Sequence, residues 1–189
     1  KSSRWADANR GGAHLECFLE GPSFDRDGNL YMVDVPWGRI FRMSPDGVFN
    51  LVAEYDGWPY GLKIHRDGRI FITDYKNGVM LLDPVSGAVT PLLEDHTPRS
   101  LKGVNDLIFA ANGDLYFTDY GQTDLHDPTG RLYRLTHGGR LECLSQVIPG
   151  PNGLVLNTAE NLIYVAATRS NEIWRMTIMP DGSIVKVSI

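Results

Sequence analysis

The stretch "EGPSFDRDGNLYMVD", residues 20–34, decides the fold because the chain repeats its pattern three more times. The later copies are "YGLKIHRDGRIFITD" (60–74), "NDLIFAANGDLYFTD" (105–119) and, more loosely, "NGLVLNTAENLIYVA" (152–166). One aromatic residue marks the same position in every copy, at intervals of 40, 45 and 48 residues: Tyr31, Phe71, Tyr116 and Tyr164. Repetition at this spacing indicates that one small structural unit recurs along the chain.

Each copy contains a turn just before its aromatic residue. The turns are "RDGN" (26–29), "RDGR" (66–69), "ANGD" (111–114) and the weaker "TAEN" (158–161). Asp-Gly and Asn-Gly between short apolar runs are the strongest local signal for a β-hairpin. A second hairpin follows in every repeat, turning at "SPDG", "PVSG", "THGG" and "MPDG". Four short antiparallel strands per repeat predict an all-β fold, a β-propeller built from four-stranded blades.

The repeats also predict the domain organisation. We expect an N-terminal segment over 1–12 and a propeller domain over 13–189, with blades at about 20–53, 60–94, 105–146 and 152–189. Residues 13–19, "AHLECFL", have the pattern of an outermost strand. Propellers are commonly closed by a strand from one end of the chain. We therefore expect this segment to complete the last blade of a full ring.

Composition limits the class of partner. The net charge is −5 and no basic run occurs, which argues against a nucleic-acid partner. No apolar run approaches the length of about 18 residues that a membrane span requires. The compartment stays open between cytoplasm and periplasm. The two cysteines, Cys17 and Cys143, share a "LEC" triplet in different repeats and are predicted to be buried free thiols.

Propeller symmetry predicts a site where the inner strands begin, because repeat-equivalent positions there gather around one axis. These positions hold Glu20, Tyr60, Asn105 and Asn152. A carboxylate and two amide oxygens form a hard-oxygen set suited to a divalent cation, so Glu20, Asn105 and Asn152 are predicted as metal ligands. The alternative is that these polar residues only cap the starts of their strands.

The loops at the same end of the blades supply the predicted substrate contacts, which are Trp37, Tyr60, Arg99, Lys102 and Asn105. The long segment 120–130 is a candidate lid on its length alone. A different role is expected for an aspartate that follows the aromatic residue by three positions in the first three repeats: Asp34, Asp74 and Asp119. Its recurrence favours a structural task, such as binding backbone N–H groups of the next turn.

Three motifs occur in a fixed order along the chain: "EGP", then "ND" before one inner strand and "NG" before the next. In this order they resemble the senescence marker protein / gluconolactonase / luciferin-regenerating enzyme family. The bacterial drug-responsive lactonase is similar too. The resemblance runs from about residue 14 to the end. It implies a six-bladed propeller, of which four blades are present, and one divalent cation, Ca²⁺ or Zn²⁺ with Mg²⁺ or Mn²⁺ as alternatives. By resemblance, Glu20 and Asn152 bind the metal, and Asn105 binds metal or substrate.

The resemblance implies a gluconolactonase-type lactonase, a carboxylic ester hydrolase acting on a small-molecule lactone. Families of this type also use an aspartate at the start of a fifth blade as general base, and the sequence stops before that blade. Asp181 lies in a hairpin turn and does not replace it, which leaves Asp106 as the candidate base. Gly103 stands where an arginine is often found, so a preference for sugar lactones is in doubt.

Three alternatives stay open at this point. The chain is a non-enzymatic propeller that binds a partner, an incomplete and inactive lactonase fragment, or a hydrolase of esters or phosphotriesters at the same metal. Four blades of a six-bladed fold leave sheet edges open. We therefore expect more polypeptide, or a second chain, to complete the propeller.

Overall fold

The computed structural model describes residues 3–93 and 101–188. Within these residues the strands form four antiparallel sheets of four strands each, and every sheet follows the order of the chain. We call the sheets blades 1 to 4. The predicted fold class, an all-β propeller of four-stranded blades, is confirmed.

The first two blades follow a short helix, α1 (Arg4–Arg10). Blade 1 consists of β1 (Leu19–Phe24), β2 (Leu30–Asp34), β3 (Arg39–Met43) and β4 (Phe49–Glu54), with a 3₁₀ turn at Val35–Trp37. Blade 2 consists of β5 (Pro59–Ile64), β6 (Ile70–Asp74), β7 (Gly78–Leu82) and β8 (Val89–Pro91).

The last two blades have the same construction. Blade 3 consists of β9 (Val104–Phe109), β10 (Leu115–Asp119), β11 (Gly130–Leu135) and β12 (Leu141–Ile148). Blade 4 consists of β13 (Pro151–Leu156), β14 (Leu162–Ala167), β15 (Glu172–Ile178) and β16 (Ile184–Ser188). The chain divides into two compact units, Lys1–Pro98 and Arg99–Ile189, so each unit contains two blades.

Each unit has its own hydrophobic core between its two blades. In the first unit, residues from both sheets are fully or almost fully buried: Tyr31, Val33, Ile40, Leu62, Ile70, Ile72, Met80 and Leu82. In the second unit the corresponding set is Tyr116, Leu132, Ile148, Leu154, Ile163, Val165 and Met176. Two of the four aromatic residues that mark the repeat, Tyr31 and Tyr116, belong to these cores, and Tyr164 is half-buried.

The fourth repeat has no glycine in its first turn, and the structure shows how the chain manages without one. Gly28, Gly68 and Gly113 hold the first three turns with φ of 82°, 92° and 91°. Glu160 occupies this position in blade 4 with φ of 53°, which is uncommon for a residue with a side chain. Its carboxylate accepts the N–H of Ala111 in the turn of blade 3 (2.9 Å to Oε1), which offsets the strain.

The N-terminal residues differ from the prediction. Among the described residues none before Leu19 lies in a strand, and Leu19 itself belongs to β1, the inner strand of blade 1, so the structure shows no separate strand over 13–19. The role of this segment in closing a ring, and the single domain over 13–189, stay predictions. Neither cysteine forms a disulfide, as expected. Cys17 is exposed and Cys143 is half-buried, so the expectation that both are buried was wrong. Within the described residues, no helix has the length and apolar character needed to cross a bilayer.

The recurring aspartates are structural, as predicted, but Asp34 and Asp119 bind segments that precede them rather than the next turn. Asp34, Asp74 and Asp119 are all completely buried. The N–H of Phe18 donates to Asp34 (2.8 Å), and those of Lys102 and Gly103 donate to Asp119 (both 2.8 Å). Asp34 and Asp119 therefore hold the chain just before β1 and β9.

Asp74 uses the same kind of bond for a different segment. It accepts N–H groups from the turn that follows it, those of Lys76 (2.8 Å) and Asn77 (2.9 Å). The Tyr55 hydroxyl also donates to it (2.7 Å), and burial together with this carboxylate raises the pKa of Tyr55.

Asp119 lies 2.7 Å from the guanidinium of Arg131. Burial raises the pKa of Asp119, and Arg131 opposes that shift. Replacing Asp119 with alanine should lower the free energy of unfolding by about 3–5 kcal/mol, because the partly buried guanidinium of Arg131 and the N–H groups of Lys102 and Gly103 all lose the carboxylate that they contact. Urea unfolding followed by tryptophan fluorescence measures the loss.

The matched control is Asp124→Ala. Asp124 also accepts two backbone N–H groups, those of His126 (2.7 Å) and Asp127 (3.0 Å), but in a turn near the surface. Its loss should be clearly smaller. Equal losses from the two substitutions would contradict the structural role given to the buried aspartate.

Candidate functional site

One backbone hydrogen bond recurs where each inner strand begins. The residue after the second strand donates its N–H to the carbonyl two positions before the predicted site residue. The four bonds are Val35 to Phe18 (3.0 Å), Tyr75 to Trp58 (2.9 Å), Tyr120 to Gly103 (2.9 Å) and Thr168 to Gly150 (3.0 Å). The predicted positions Glu20, Tyr60, Asn105 and Asn152 are thus held in the same way in every blade.

In the first unit, Glu20 and Tyr60 lie at the starts of neighbouring inner strands. Gly21 has φ of 56°, and a Cβ atom there would lie 2.6 Å from the nitrogen of Leu62. Glycine is therefore required for β1 to approach β5 this closely. The pairing of β1 with β2 is irregular between Glu20 and Ser23, and irregularities of this kind re-aim side chains next to functional sites.

Helix α1, which the sequence patterns did not predict, reaches this end of the first unit. The indole N–H of Trp5 donates to the hydroxyl of Tyr60 (2.8 Å). Trp5 is 7% exposed and packs with Val35 and Trp58. Tyr60 also contacts Tyr75, with ring centroids 6.0 Å apart. The predicted substrate contact Tyr60 is therefore part of an aromatic cluster.

Trp37, another predicted substrate contact, lies in the 3₁₀ turn after β2 and is half-buried. The guanidinium carbon of Arg39 lies 5.6 Å from its ring centroid, and Arg39 also forms an ion pair with Asp34. The position of Trp37 therefore depends on the same buried aspartate that holds the start of β1.

In the second unit, Asn105 and Asn152 begin β9 and β13, and a single buried hydroxyl joins their strands. Thr118 on β10 donates its hydroxyl to the carbonyl of Asn152 (2.8 Å) and accepts the N–H of Asp106 (3.1 Å). Asn105 is buried and Asn152 half-buried. The structure therefore brings these two predicted ligands into adjacent strands of one unit.

Asp106, the candidate general base, bridges the same two strands. Its Oδ1 accepts the N–H of Leu107 (2.8 Å), and its Oδ2 accepts the N–H of Leu154 on β13 (3.2 Å). Both carboxylate oxygens are therefore bound to backbone donors. To accept a proton from water, Asp106 must use a second lone pair or release one of these bonds.

Lys102 is exposed, and its ammonium group donates to the carbonyl of Thr129 (3.3 Å) and to its hydroxyl. This contact ties the start of β9 to the segment 120–130. The same segment is anchored at Thr123, whose hydroxyl donates to Tyr120 (2.5 Å) and accepts from Gly150 (3.2 Å). The lid role of 120–130 stays a prediction. Arg99 lies outside the described residues.

The donor set of the predicted metal site consists of oxygen atoms, from one carboxylate and two amides. Three or more His, Cys, Asp or Glu side chains do not come together as a metal-binding group anywhere in the described part of the chain. The predicted set contains only one such residue, so it depends on amide oxygens, which Ca²⁺ accepts readily. Its chemistry fits a hard divalent cation.

Two surface grooves lie at the opposite end of the blades, among the hairpin turns. One has a volume of about 290 Å³ and is lined in the first unit by Asp25, His65 and Pro84. The other, of about 380 Å³, is lined in the second unit by Asn112, Arg134 and Glu160. Because these turns follow the inner strands, the grooves are remote from the strand starts that carry the predicted ligands.

Two residues that contact the predicted site residues or their strands, Trp5 on α1 and Thr118 on β10, were missed from the sequence. A signal for Trp5 existed in the helix signature around it: Ser3 is an N-cap that accepts the N–H of Ala6 (3.1 Å), and Gly11 ends the helix with φ of 59°. Thr118 had a weaker signal in the "TD" pair that ends both β6 and β10.

Thr118→Val should lower the free energy of unfolding by about 1–3 kcal/mol, because it removes the hydroxyl that accepts the N–H of Asp106 and donates to the carbonyl of Asn152. Thr118→Ser keeps the hydroxyl and loses only a methyl group, at a cost of about 1 kcal/mol. Hydrogen exchange at the Asp106 amide gives the direct measurement and should accelerate only in the valine variant. Equal exchange in both variants would mean that the hydroxyl does not join the two strands.

Comparison with known protein families gives a match over residues 18–188, to the model described as the SMP-30/Gluconolactonase/LRE-like region. The lactonase drp35 of Staphylococcus aureus strain MRSA252 is 28% identical over 190 residues. This alignment covers 96% of the chain and 56% of drp35, so the chain spans little more than half the length of that relative.

Solved structures show the same fold at lower identity. A gluconolactonase from Xanthomonas campestris superposes with a TM-score of 0.80 at 22% identity, covering 91% of this chain and 62% of that one. Regucalcin from Agrobacterium tumefaciens strain C58, described as a calcium-binding protein, gives a TM-score of 0.76 at 19% identity, with 92% and 59% coverage. At these identities the similarity establishes the propeller fold alone.

Proposed function

The chain belongs to the SMP-30/Gluconolactonase/LRE-like family, and on that basis we propose that it forms the main part of a gluconolactonase-type, metal-dependent hydrolase that opens lactone rings at the mouth of the propeller channel. The observation that carries the proposal is the common position of Glu20, Asn105 and Asn152 at the starts of inner strands, each held by the recurring backbone bond. A non-enzymatic binding propeller has no need of oxygen ligands at that repeat position.

Glu20, Asn105 and Asn152 would hold one divalent cation. Ca²⁺ is the first choice because all three donors are hard oxygens, with Zn²⁺, Mg²⁺ and Mn²⁺ as alternatives. The calcium binding stated for regucalcin supports this order. When bound, such a cation polarises an ester carbonyl and stabilises the negative charge that develops on its oxygen.

The chain's own residues then bind and orient the lactone. The proposed contacts are the Tyr60 hydroxyl, the Asn105 amide, the Trp37 ring and the Lys102 ammonium group. Arg99, which lies outside the described residues, stays a predicted contact. Hydrolysis joins the oxygen of water to the carbonyl carbon and breaks the ring C–O bond, and the ring oxygen leaves as a hydroxyl. Asp106 is the candidate to take the proton of that water, from its position between β9 and β13.

Glu20→Gln and Asn152→Ala test the cation site. We expect each variant to lose bound divalent metal and to turn over an aldonolactone at least about 100-fold more slowly. The reason is that loss of a ligand weakens the binding of the cation that stabilises the transition state. Metal analysis and a panel of lactones, simple esters and a phosphotriester provide the measurements. Glu16→Gln and Asn50→Ala, at exposed positions, are the controls.

Three results are informative. Metal and turnover in the parent chain, both lost in the two variants, would support the proposal. Metal without turnover in the parent chain would mean that the ligands are correct and that the catalytic groups are incomplete. A parent chain that binds no divalent metal would overturn the cation site and favour the binding propeller.

Within residues 3–93 and 101–188, one face of blade 1 carries several exposed apolar side chains, which bears on what completes the propeller. The face comprises two cross-strand rows: Phe24, Leu30, Met43 and Phe49, and Met32, Phe41 and Leu51. Phe24 is 68% exposed, and Phe49 and Leu51 are 56% and 54% exposed. We propose that a further blade of the same polypeptide packs on this face. The alignment covers only 56% of drp35, so that relative has further polypeptide beyond the part that this chain matches, which supports this proposal.

Replacing Phe49 and Leu51 together with lysine tests this occupant. In the present chain the change should suppress self-association, measured by sedimentation velocity, because it removes exposed apolar surface. In a polypeptide as long as drp35 it should lower the free energy of unfolding by roughly 2–5 kcal/mol, because the face is then buried.

Val85→Lys, at a residue that is 94% exposed in a turn, is the control for added charge. The proposal would be overturned if the long polypeptide formed a discrete dimer that the substitution dissociated while its free energy of unfolding stayed unchanged. A second copy would then be the occupant of the face.

A further inference from the structure

We propose that the groove among the hairpin turns of the first unit binds a small carboxylate, which Arg42 and Tyr31 of blade 1 hold. The inference is independent of the lactone site, because that site lies at the starts of the inner strands and this groove lies among the turns. Its basis is a comparison of two blades. An arginine at one position of the repeat binds carboxylates of its own blade in blade 3, and amides take their places in blade 1.

In blade 3 a cross-strand pair of a tyrosine and an arginine is completed by two acidic residues. Tyr116 on β10 lies directly opposite Arg134 on β11. The Nε and Nη2 groups of Arg134 both donate to Oδ2 of Asp114 (2.7 Å from Nε), and Nη1 donates to Glu142 (3.3 Å). The Nε edge of this guanidinium is therefore occupied by a carboxylate of the chain itself.

Blade 1 has the same cross-strand pair without the acidic residues. Tyr31 on β2 lies directly opposite Arg42 on β3. Asn29 and Asn50 stand at the repeat positions of the two acidic residues. Within residues 3–93 and 101–188, the buried Nε of Arg42 has no hydrogen-bond partner, and Arg42 takes part in no ion pair. A buried N–H group without an acceptor costs free energy, which a bound carboxylate would recover.

Asp25, in the first turn of blade 1, does not supply the acceptor. Its oxygens accept the N–H groups of Asp27 (2.9 Å) and Asn29 (2.8 Å) and the side-chain amide of Asn29 (2.8 Å). Burial acts to raise the pKa of Asp25, but these hydrogen bonds and the charge of Arg42 outweigh it and lower the pKa. Asp25 is therefore ionised and already bound by its own turn.

Tyr31 supplies a second donor and places the site at the groove. Only 4% of Tyr31 is exposed, yet it lines the groove of about 290 Å³, as Asp25 does. Its hydroxyl makes no hydrogen bond to any residue that the structure describes. A phenol hydroxyl donates one hydrogen bond, so Tyr31 and the neighbouring Arg42 offer donors to the same acceptor.

The chemistry and size of the site select a small carboxylate. The Nε edge of a guanidinium matches a carboxylate, as Arg134 and Asp114 show in blade 3. A groove of about 290 Å³ is at the small end of ligand sites. The charges around it admit one further negative charge, because four arginines face three aspartates: Arg26, Arg42, Arg66 and Arg69, and Asp25, Asp27 and Asp67.

Titration with sodium acetate, followed by NMR at constant ionic strength, tests the inference. The Nε–H resonance of Arg42 should shift as acetate is added, whereas that of Arg134, which already binds a carboxylate, should not. Followed on the backbone amides of blade 1, Tyr31→Phe should weaken acetate binding about three- to tenfold and Arg42→Gln at least about tenfold. These are the losses expected for one neutral and one charge-assisted hydrogen bond.

The matched variant supplies the carboxylate from the chain. Asp25→Ala combined with Asn29→Asp reproduces the turn of blade 3, in which alanine and aspartate occupy these two positions. In this variant the Arg42 resonance should shift without acetate, and acetate binding should weaken at least about tenfold. Arg10→Gln, which removes an exposed charge on α1, is the control and should leave the Kd for acetate unchanged.

The parent chain gives the decisive result, which does not depend on the folding of any variant. An Arg42 resonance that does not respond to acetate would overturn the proposal. Acetate binding of unchanged strength in Arg42→Gln, or in the variant that carries the turn of blade 3, would overturn it as well. Loss of lactone hydrolysis would not affect it, because the two sites lie at opposite ends of the blades.

Discussion

The structure of every blade depends on one backbone hydrogen bond. The N–H of the residue that follows the second strand donates to a carbonyl near the start of the inner strand, two positions before the predicted site residue. It is 2.9–3.0 Å long in all four blades. In blades 1 and 3 a buried aspartate, Asp34 or Asp119, adds side-chain bonds to the same entering segment. Because a buried backbone group without a partner is costly, this bond sets where each inner strand begins. The positions of Glu20, Tyr60, Asn105 and Asn152 follow from it.

Local signals in the sequence were sufficient to predict much of this. Asp-Gly and Asn-Gly turns determine hairpins within a few residues, and the recurring aromatic residues mark the register of the repeat, so the four-stranded blades could be derived directly. The structural role of Asp34, Asp74 and Asp119 could be predicted because recurrence in every complete repeat points to the fold rather than to chemistry. The ligand role of Glu20, Asn105 and Asn152 rests on the same repeat position and stays a prediction.

Features that depend on contacts between distant residues could not be derived in the same way. The bond from Trp5 to Tyr60 spans 55 positions, and nothing in the repeat pattern requires it. The strand expected over 13–19 carries a suitable apolar pattern, but a pattern becomes a strand only when a partner edge is available to it. The hydroxyl of Thr118 forms hydrogen bonds to two different strands. Threonine is common in strands because of its β-branched shape, so the sequence alone gave no reason to expect these bonds.

The recurring bond also answers why the repeats begin with different residues. It joins only main-chain atoms, and the side chain two positions later takes no part in it. A carboxylate, a phenol and two amides therefore occupy equivalent places without altering how the strand starts. The side chains at these four positions can therefore be replaced without loss of the bond that starts the strand. Substitutions there can change which ligand or substrate is bound while the fold of the blade is kept.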